Sequence, residues 1–214
     1  MKVVSTQIAQ PTTIIWNGKE ELTGIYKVPV DHPLELGMTD VAQDAVIDRK
    51  YHGGVDKACY LYSADHYAYW RELYPGQELP YGMFGENLTV EGLDETQMIV
   101  GEVYQLGTAR VQVSEPRQPC YKLGIRFGDQ RVLKQFVNSS YSGVYVRVLQ
   151  PGQVQRGDEL VRIEAVAQGF TIAEVYALSY AKATHPEQVQ RLVADEYLPQ
   201  YLKEKLLAKF ADTH

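Results

Sequence analysis

Alternating apolar and polar residues, separated by turn signals, run through the first two-thirds of the chain. The run TTIIW-NG-KEELTGIYKVPV places Asn17-Gly18 between two strand-like stretches. This dipeptide favours a tight β-hairpin, because both central residues of such a turn need a positive φ. The segments ENLTV, EVYQLGTARVQVS, GVYVRVL and ELVRIEAVA predict further strands. Short strands with few helices between them predict a mostly β domain, folded as a closed or nearly closed barrel.

Two helices interrupt this β-rich part. The first is predicted over SADHYAYWRELY, with Ser63 as its N-cap. The second is predicted over GDQRVLKQFVNSS, with Asp129 in the same role. Both residue types carry a side-chain oxygen that can accept a hydrogen bond from the first turn of a helix.

After Gln168-Gly169 the apolar spacing becomes helical. TIAE at 171–174 and THPE at 184–187 fit the capping box, in which a hydroxyl at the N-cap is answered by Glu at the third helical position. We therefore predict a β-rich domain over 1–168 and a three-helix module over 169–214. Because helices this short are unstable alone, the module must pack on the first domain or on a second subunit of a homodimer. The sequence leaves both arrangements open.

Length and composition are typical of a folded globular protein, with 214 residues, 45% of them hydrophobic and 22% charged. No apolar run approaches the roughly 18 residues of a membrane helix. The N-terminus, MKVVSTQIAQ, lacks the apolar core of a signal peptide. We therefore expect a cytoplasmic protein with no membrane partner. With only Cys59 and Cys120, a disulfide framework is not expected.

The net charge of −6 argues against nucleic-acid binding, but it is unevenly distributed. Between Arg110 and Arg147, seven Lys or Arg residues stand against two acidic residues, so this segment carries +5 and the remainder −11. A basic segment in an acidic protein favours a focused site for a small anion. A solvated helix face around Arg131 explains part of the excess, but it does not explain Arg117 and Lys122.

Motifs that define common nucleotide and zinc sites are missing from the sequence: there is no GxxxxGK[ST], GxGxxG, HExxH or CxxC. Cys59 lies in the apolar segment KACYLYS, which is typical of a buried core thiol.

A first candidate binding loop is DRKYHGGVDK. Its adjacent glycines allow a ligand to approach the backbone closely, and Arg49, His52 and Lys57 supply donors on both sides. A turn whose charges face water explains this stretch equally well.

A second candidate loop is GMFGENLTV. Gly82 and Gly85 are expected to leave backbone N–H groups accessible, and Asn87 can both donate and accept hydrogen bonds. Taken alone, a loop of this kind is most often a turn at the entry to a strand.

The segment SEPRQPC ends in Cys120, which lies in a polar, proline-rich stretch rather than in an apolar element. Arg117 and Lys122 favour the thiolate, the form that binds metals or attacks electrophiles. Pro116 and Pro119 fix their own φ and restrict the preceding residues to extended conformations, which pre-orients the sulfur. The alternative is a free surface thiol in a proline-rich turn.

Four segments together resemble one family. KYHGGVDKACYLYS, GMFGENLTVEGLDE, VSEPRQPCYKLGIRFG and SGVYVRVLQPGQVQRGDEL occur in the order and spacing of MOSC-domain proteins, the molybdenum cofactor sulfurase C-terminal family. The resemblance covers nearly the whole chain and is strongest to the YiiM-like branch, which adds a three-helix C-terminal module. It implies a mostly β, barrel-like MOSC fold that binds the molybdenum cofactor, a molybdopterin.

The resemblance also implies roles for individual residues. Cys120 would be the catalytic residue and the protein ligand to molybdenum. The implied cofactor contacts are Arg49, His52, Lys57, Gly85, Asn87 and Arg117.

The activity implied by the resemblance is reduction of N-hydroxylated compounds such as 6-hydroxylaminopurine, which would detoxify base analogues. The alternative is a non-enzymatic carrier of the cofactor or of sulfur that uses Cys120. A redox sensor would need a resolving thiol, and Cys59 is expected to be buried. An iron–sulfur cluster usually needs four cysteine ligands, and this chain has two, one of them already assigned to molybdenum. The dinucleotide fingerprint is also absent, so electrons must come from a separate reductase.

Overall fold

A computed structural model of the protein describes residues 1–211, apart from the side chain of Lys50. The strands are β1 Lys2–Ile8, β2 Thr12–Trp16, β3 Lys19–Thr23, β4 Val28–Pro29, β5 Leu34–Leu36, β6 Cys59–Ser63, β7 Leu88–Glu91, β8 Val103–Leu106, β9 Ala109–Pro116, β10 Val144–Gln150, β11 Gly152–Val154 and β12 Leu160–Glu164. The α-helices are α1 Arg49–His52, α2 Tyr67–Leu73, α3 Tyr121–Phe127, α4 Arg131–Ser139, α5 Ile172–Tyr180, α6 Pro186–Ala194 and α7 Gln200–Ala211, with a 3-10 turn at Val55–Lys57.

Eight of the strands form one mixed sheet in the order β12-β8-β9-β10-β6-β7-β1-β4. All neighbours are antiparallel except β6 and β7, which are parallel. Two small sheets, β11-β5 and β2-β3, lie outside it. The second is the predicted hairpin: Asn17 and Gly18 have φ of 49° and 75°, the positive values that the turn requires.

The sequence predicted a closed or nearly closed barrel. The sheet is barrel-like but is not closed. In the described chain, no ladder joins the edge strands β12 and β4. Backbone bonds from Val3 N to Asp158 O (2.9 Å) and from Leu160 N to Met1 O (3.0 Å) nevertheless bring the two ends of the sheet together. The edge strand β4 has only two residues, and Pro29 has no N–H to extend a ladder. The mostly β fold with added helices is confirmed.

The two helix starts predicted within the β-rich part are wrong in detail. Ser63 is the fully buried last residue of β6, and α2 starts four residues later. Strand pairing to β7 reaches Ser63, opposite Val90, so tertiary context determines the boundary. α4 starts at Arg131 rather than directly after Asp129. Asp129 Oδ1 still accepts the Arg131 N–H at 2.9 Å.

The three predicted C-terminal helices are all present. Thr171 and Glu174 form the complete capping box at the start of α5. The second predicted box is wrong: His185 is the N-cap of α6, because Pro186 occupies the first helical position and Thr184 instead bonds Gln188. None of the described helices has both the length and the apolar character needed to cross a membrane.

Apolar side chains form two clusters, one on each side of the sheet. The larger contains strand residues such as Leu61 and Val111 together with Leu202 and Phe210 of α7, so the C-terminal helices pack on the sheet of their own chain. The smaller cluster is aromatic and joins α2, α3 and α4 to the sheet around Phe84. The first residues of α3 lie beside this aromatic cluster, where the candidate site forms.

Candidate functional site

Two cavities meet at Cys120. The inner cavity has a volume of about 80 Å³, and the outer cleft has about 670 Å³. The residues that line both are Asp48, His52, Lys57, Cys120, Lys122 and Tyr145. A ligand that fills the inner cavity therefore lies next to the Cys120 thiol and is continuous with a larger open space.

Cys120 is half-buried and immediately precedes α3. Its backbone is extended, with φ −121° and ψ 165°. The predicted hairpin holds the adjacent turn in place: Trp16 stacks on Tyr121 with ring centroids 4.9 Å apart, and Lys122 Nζ donates to Leu22 O at 3.1 Å. Contacts of the two residues that follow Cys120 therefore help to fix its position, and not the prolines alone.

Arg117 is the most deeply buried cation among the residues predicted for the site. It is 4% exposed, and its guanidinium lies 5.3 Å from the Tyr60 ring centroid and 5.5 Å from that of Phe136. Its Nη1 atom is buried and has no hydrogen-bond partner within residues 1–211. A buried cationic donor left unpaired costs free energy, so this arginine is suited to a ligand rather than to stabilising the fold.

Four cationic side chains line the inner cavity: Lys27, Lys57, Arg117 and Lys122. Lys27 is buried and ion-paired with Asp44. Burial lowers the pKa of Lys27, while its contact with Asp44 acts in the opposite direction. The lining is thus strongly positive and only partly neutralised by protein carboxylates.

His52 lies in this cationic environment as a neutral imidazole. Burial, reinforced by Arg117, Lys57 and the other nearby cations, lowers its pKa to about 3. Its Nδ1 lies 3.4 Å from the Tyr145 hydroxyl. At neutral pH His52 can therefore donate one hydrogen bond and accept another without adding charge.

Asn87 lines the inner cavity, but the protein already uses its polar atoms. Its Nδ2 donates to Asp44 Oδ2 at 2.9 Å, and its Oδ1 accepts from Tyr60 N at 3.3 Å. Asn87 thus holds Asp44, and through it Lys27, at the cavity wall.

The expectation of accessible glycine N–H groups is wrong. Gly85 lines the inner cavity, but its N–H donates to Gly82 O at 2.9 Å. The Gly82 N–H donates to the buried carboxylate of Glu86 at 2.7 Å. The φ of +81° at Gly85 is needed for the turn itself, in which Glu86 accepts the Gly82 donor and the Gly82 carbonyl accepts the Gly85 donor.

Arg49 lies outside both cavities. Its guanidinium pairs with Asp40, and its side chain is 59% exposed. Among the described residues, those lining the inner cavity and the outer cleft do not include Arg49. Lys57, from the same loop, lines both, so the loop contributes at its C-terminal end.

The basic segment contributes less to the site than its charge indicates. Arg110 pairs with Glu164, Arg131 with Asp129 and Arg147 with Asp56. Arg117 and Lys122 are the members that line the cavities, whereas Lys27 and Lys57 come from elsewhere in the chain.

Four further residues line the inner cavity although no motif in the sequence pointed to them: Lys27, Asp44, Tyr60 and Tyr145. The strongest local signal among the missed features is Gly24. A Cβ atom there would lie 1.7 Å from Ala45 O, so only glycine allows the segments around residues 24 and 45 to approach closely.

The cysteines differ as predicted, since Cys59 is buried in β6 and burial raises its thiol pKa. Among the residues that the structure describes, no group of three or more His, Cys, Asp and Glu side chains could hold a metal ion.

Comparison with known proteins identifies the class. The MOSC domain matches residues 48–161, more than half of the chain, and the chain belongs to the MOSC-domain family. Within that family it is YiiM-like. It is 32% identical to the protein YiiM of Escherichia coli (strain K12), over 80% of this chain and 77% of that protein. The crystal structure of YiiM from Geobacillus stearothermophilus matches with a TM-score of 0.82 and 33% identity, covering 97% of this chain and 98% of the other.

Two further relatives extend the comparison. The uncharacterised protein YflK of Bacillus subtilis (strain 168) is 34% identical, over 97% of this chain and 93% of that protein. A protein named reductase from Gibberella moniliformis (strain M3125 / FGSC 7600) is 33% identical over 77% of this chain, a match that spans 30% of the longer protein.

Proposed function

We propose that the protein binds a molybdenum cofactor in the two joined cavities and uses it to reduce N-hydroxylated compounds. The observation that carries this proposal is the buried Arg117 guanidinium, unpaired at Nη1 within the described residues, in a cavity that ends at the Cys120 thiol. A soft sulfur ligand, in the same cavity as a buried guanidinium with one unpaired donor, suits a ligand that combines a soft metal centre with an anionic group.

The residues present fit such a cofactor. The Cys120 thiolate would supply the protein's ligand to molybdenum, while Arg117 and Lys122 would hold the anionic part of the pterin. The bound cofactor supplies the two-electron redox chemistry, and the protein orients it.

The outer cleft suits a planar, polar substrate. The aromatic residues Tyr51, Tyr121, Tyr145 and Tyr201 line it beside Cys120. Such side chains stack on flat rings and also offer hydroxyl groups for hydrogen bonds. An N-hydroxylated purine base such as 6-hydroxylaminopurine meets both requirements, and the volume of about 670 Å³ leaves room for it.

Electrons must enter from a separate protein. The chain lacks a dinucleotide fingerprint, and its two cysteines cannot supply the four thiolates of an iron–sulfur cluster. We therefore propose a partner reductase as the physiological donor. The relative named reductase supports a redox role at this coarse level.

Turnover by protein purified from a host that makes the cofactor tests the proposal. We expect reduction of 6-hydroxylaminopurine with a reduced viologen dye and none with NADH alone. Robust turnover with NADH by the purified chain would contradict the need for a partner. Bound transferable sulfur without any N-reductase activity would instead support the alternative, in which Cys120 acts as a carrier.

A further inference from the structure

A buried carboxyl group, that of Glu115, forms part of the outer cleft near Cys120. Glu115 lies on β9, opposite Tyr145 of β10, and is 3% exposed. Its Oε1 atom has no hydrogen-bond partner in the described part of the chain. Its Oε2 atom accepts a hydrogen bond from the hydroxyl of Tyr201, which belongs to α7. Burying a carboxylate with one unsatisfied oxygen is costly, so burial favours the protonated form of this group.

The charged and titratable groups that face Glu115 come from three neighbouring elements. Lys57 Nζ lies 3.8 Å from Oε1, and Arg147 is held by Asp56 at 2.6 Å. Burial raises the pKa of Glu115 to about 7, with Asp56 acting in the same direction and Lys57, Tyr201 and Arg147 against it. The facing groups are Asp56, Lys57, Tyr145, Arg147 and Tyr201.

We propose that Glu115 is the proton donor of the outer cleft, an inference that rests on the N-hydroxyl reductase function proposed above. Reduction of R–NHOH breaks the N–O bond and forms R–NH2 and water, which takes two electrons and two protons. The electrons come from the cofactor, which the partner reductase re-reduces. Glu115 gives its proton to the departing hydroxyl, which leaves as water. The oxygen takes the N–O bonding pair with it, and the nitrogen takes the two electrons from the cofactor and the second proton from solvent, which also reprotonates Glu115.

Other candidate acids in the cleft are less suited to this step. His52 is held neutral, so it has no imidazolium proton to give. Burial raises the pKa of the Tyr145 hydroxyl, which makes it a weaker acid. A general acid works best when its pKa lies near the working pH. The remaining acidic residue that lines the cleft is Asp48, and it serves as a comparison in the test.

The first test needs no cofactor. Infrared spectra of cofactor-free protein are recorded across the neutral pH range for wild type, Glu115→Gln and Glu164→Gln. We expect the carbonyl band of a protonated carboxyl group to disappear as pH rises through about 7 in wild type and in Glu164→Gln. Glu164 is an exposed surface residue paired with Arg110, and it provides the matched control. If Glu115→Gln keeps the band, the proposal is wrong.

The second test uses the loaded enzyme and its pH profile. We expect Glu115→Gln to lower turnover on the order of 10²–10⁴-fold and to lose the basic limb of the profile. Tyr201→Phe should keep that limb but move it to higher pH, because the ionised carboxylate loses a hydrogen bond that stabilises it. A purely structural role for Glu115 would not produce loss of the basic limb in Glu115→Gln together with a shift of that limb to higher pH in Tyr201→Phe.

The outcomes separate this inference from the function on which it rests. Wild type that binds molybdenum but never reduces an N-hydroxyl group overturns both. Wild type that turns over, with Glu115→Gln retaining the rate and the basic limb, overturns this inference alone. Loss of the limb in Asp48→Asn but not in Glu115→Gln would assign the proton to Asp48 instead.

Discussion

Replacing Arg117 with methionine tests whether the inner cavity is built for an anionic ligand at the expense of stability. The change removes the charge, the donors and the contacts of the guanidinium with the rings of Tyr60 and Phe136, while keeping most of the apolar stem. If Arg117 were structural, the variant would lose stability. If Arg117 instead serves to bind a ligand, the cofactor-free variant should be about as stable as wild type or more stable.

The expected magnitude follows from the contacts. Removing a buried, unpaired donor relieves a penalty of about 1–3 kcal/mol. Loss of the two cation–π contacts costs about 0.5–2 kcal/mol. We therefore expect the free energy of unfolding of cofactor-free Arg117→Met to differ from that of wild type by about −1 to +2.5 kcal/mol, with a gain the more common outcome in this range.

Urea denaturation without sulfate measures the stability of the cofactor-free protein, and denaturation with sulfate measures how much an anion stabilises it. Sulfate at 100 times its dissociation constant should stabilise wild type by about 2.7 kcal/mol and leave Arg117→Met nearly unchanged. Arg147→Met is the matched control. Arg147 bonds Asp56, Gln112 and the Tyr197 carbonyl, so its loss should destabilise the protein. The reasoning is refuted if Arg117→Met loses as much stability as Arg147→Met, or if sulfate stabilises it as it does wild type.

Four further predictions concern the supports of the site. His52→Gln should resist acid better than wild type, as pH-dependent unfolding will show. In wild type the folded-state pKa of His52 lies below its unfolded value of 6.5, so wild type loses stability as pH falls from about 6.5 towards 3. Cys59→Ser should cost about 1–3 kcal/mol in urea denaturation by burying a hydroxyl in the core. Gly24→Ala should cost about 1–3 kcal/mol and weaken sulfate binding, since its Cβ would overlap the Ala45 carbonyl. Removing residues 169–214 should cause aggregation, detectable by light scattering, and an equally stable monomeric truncation would contradict this.

Local signals made much of the fold predictable. The Asn17-Gly18 hairpin and the Thr171 capping box are each defined by a few neighbouring residues, and the structure confirms both. The difference in burial between Cys59 and Cys120 was also predictable, because an apolar strand and a proline-rich loop are distinguishable by composition. Ser63 shows where such signals fail, because sheet pairing outweighed its preference for a helix N-cap.

The interior of the site was less predictable because its partners are distant in sequence. The pairing of Lys27 with Asp44, and the contact of Asn87 with Asp44, depend on how three separate segments meet. No spacing rule within one segment indicates such contacts. Arg49 was predicted to contact the ligand because its partner, Asp40, lies outside the motif in which Arg49 was recognised.

The proposed role of Cys120 is to hold a molybdenum cofactor. The most direct test is the molybdenum content of three proteins purified from the same cofactor-competent host: wild type, Cys120→Ser and Cys59→Ser. We expect stoichiometric molybdenum in wild type and in Cys59→Ser, whose substitution lies in the core. Cys120→Ser should lose most of the metal while keeping a native circular dichroism spectrum, because a half-buried loop thiol contributes little to the fold. Full molybdenum content in Cys120→Ser would contradict the account.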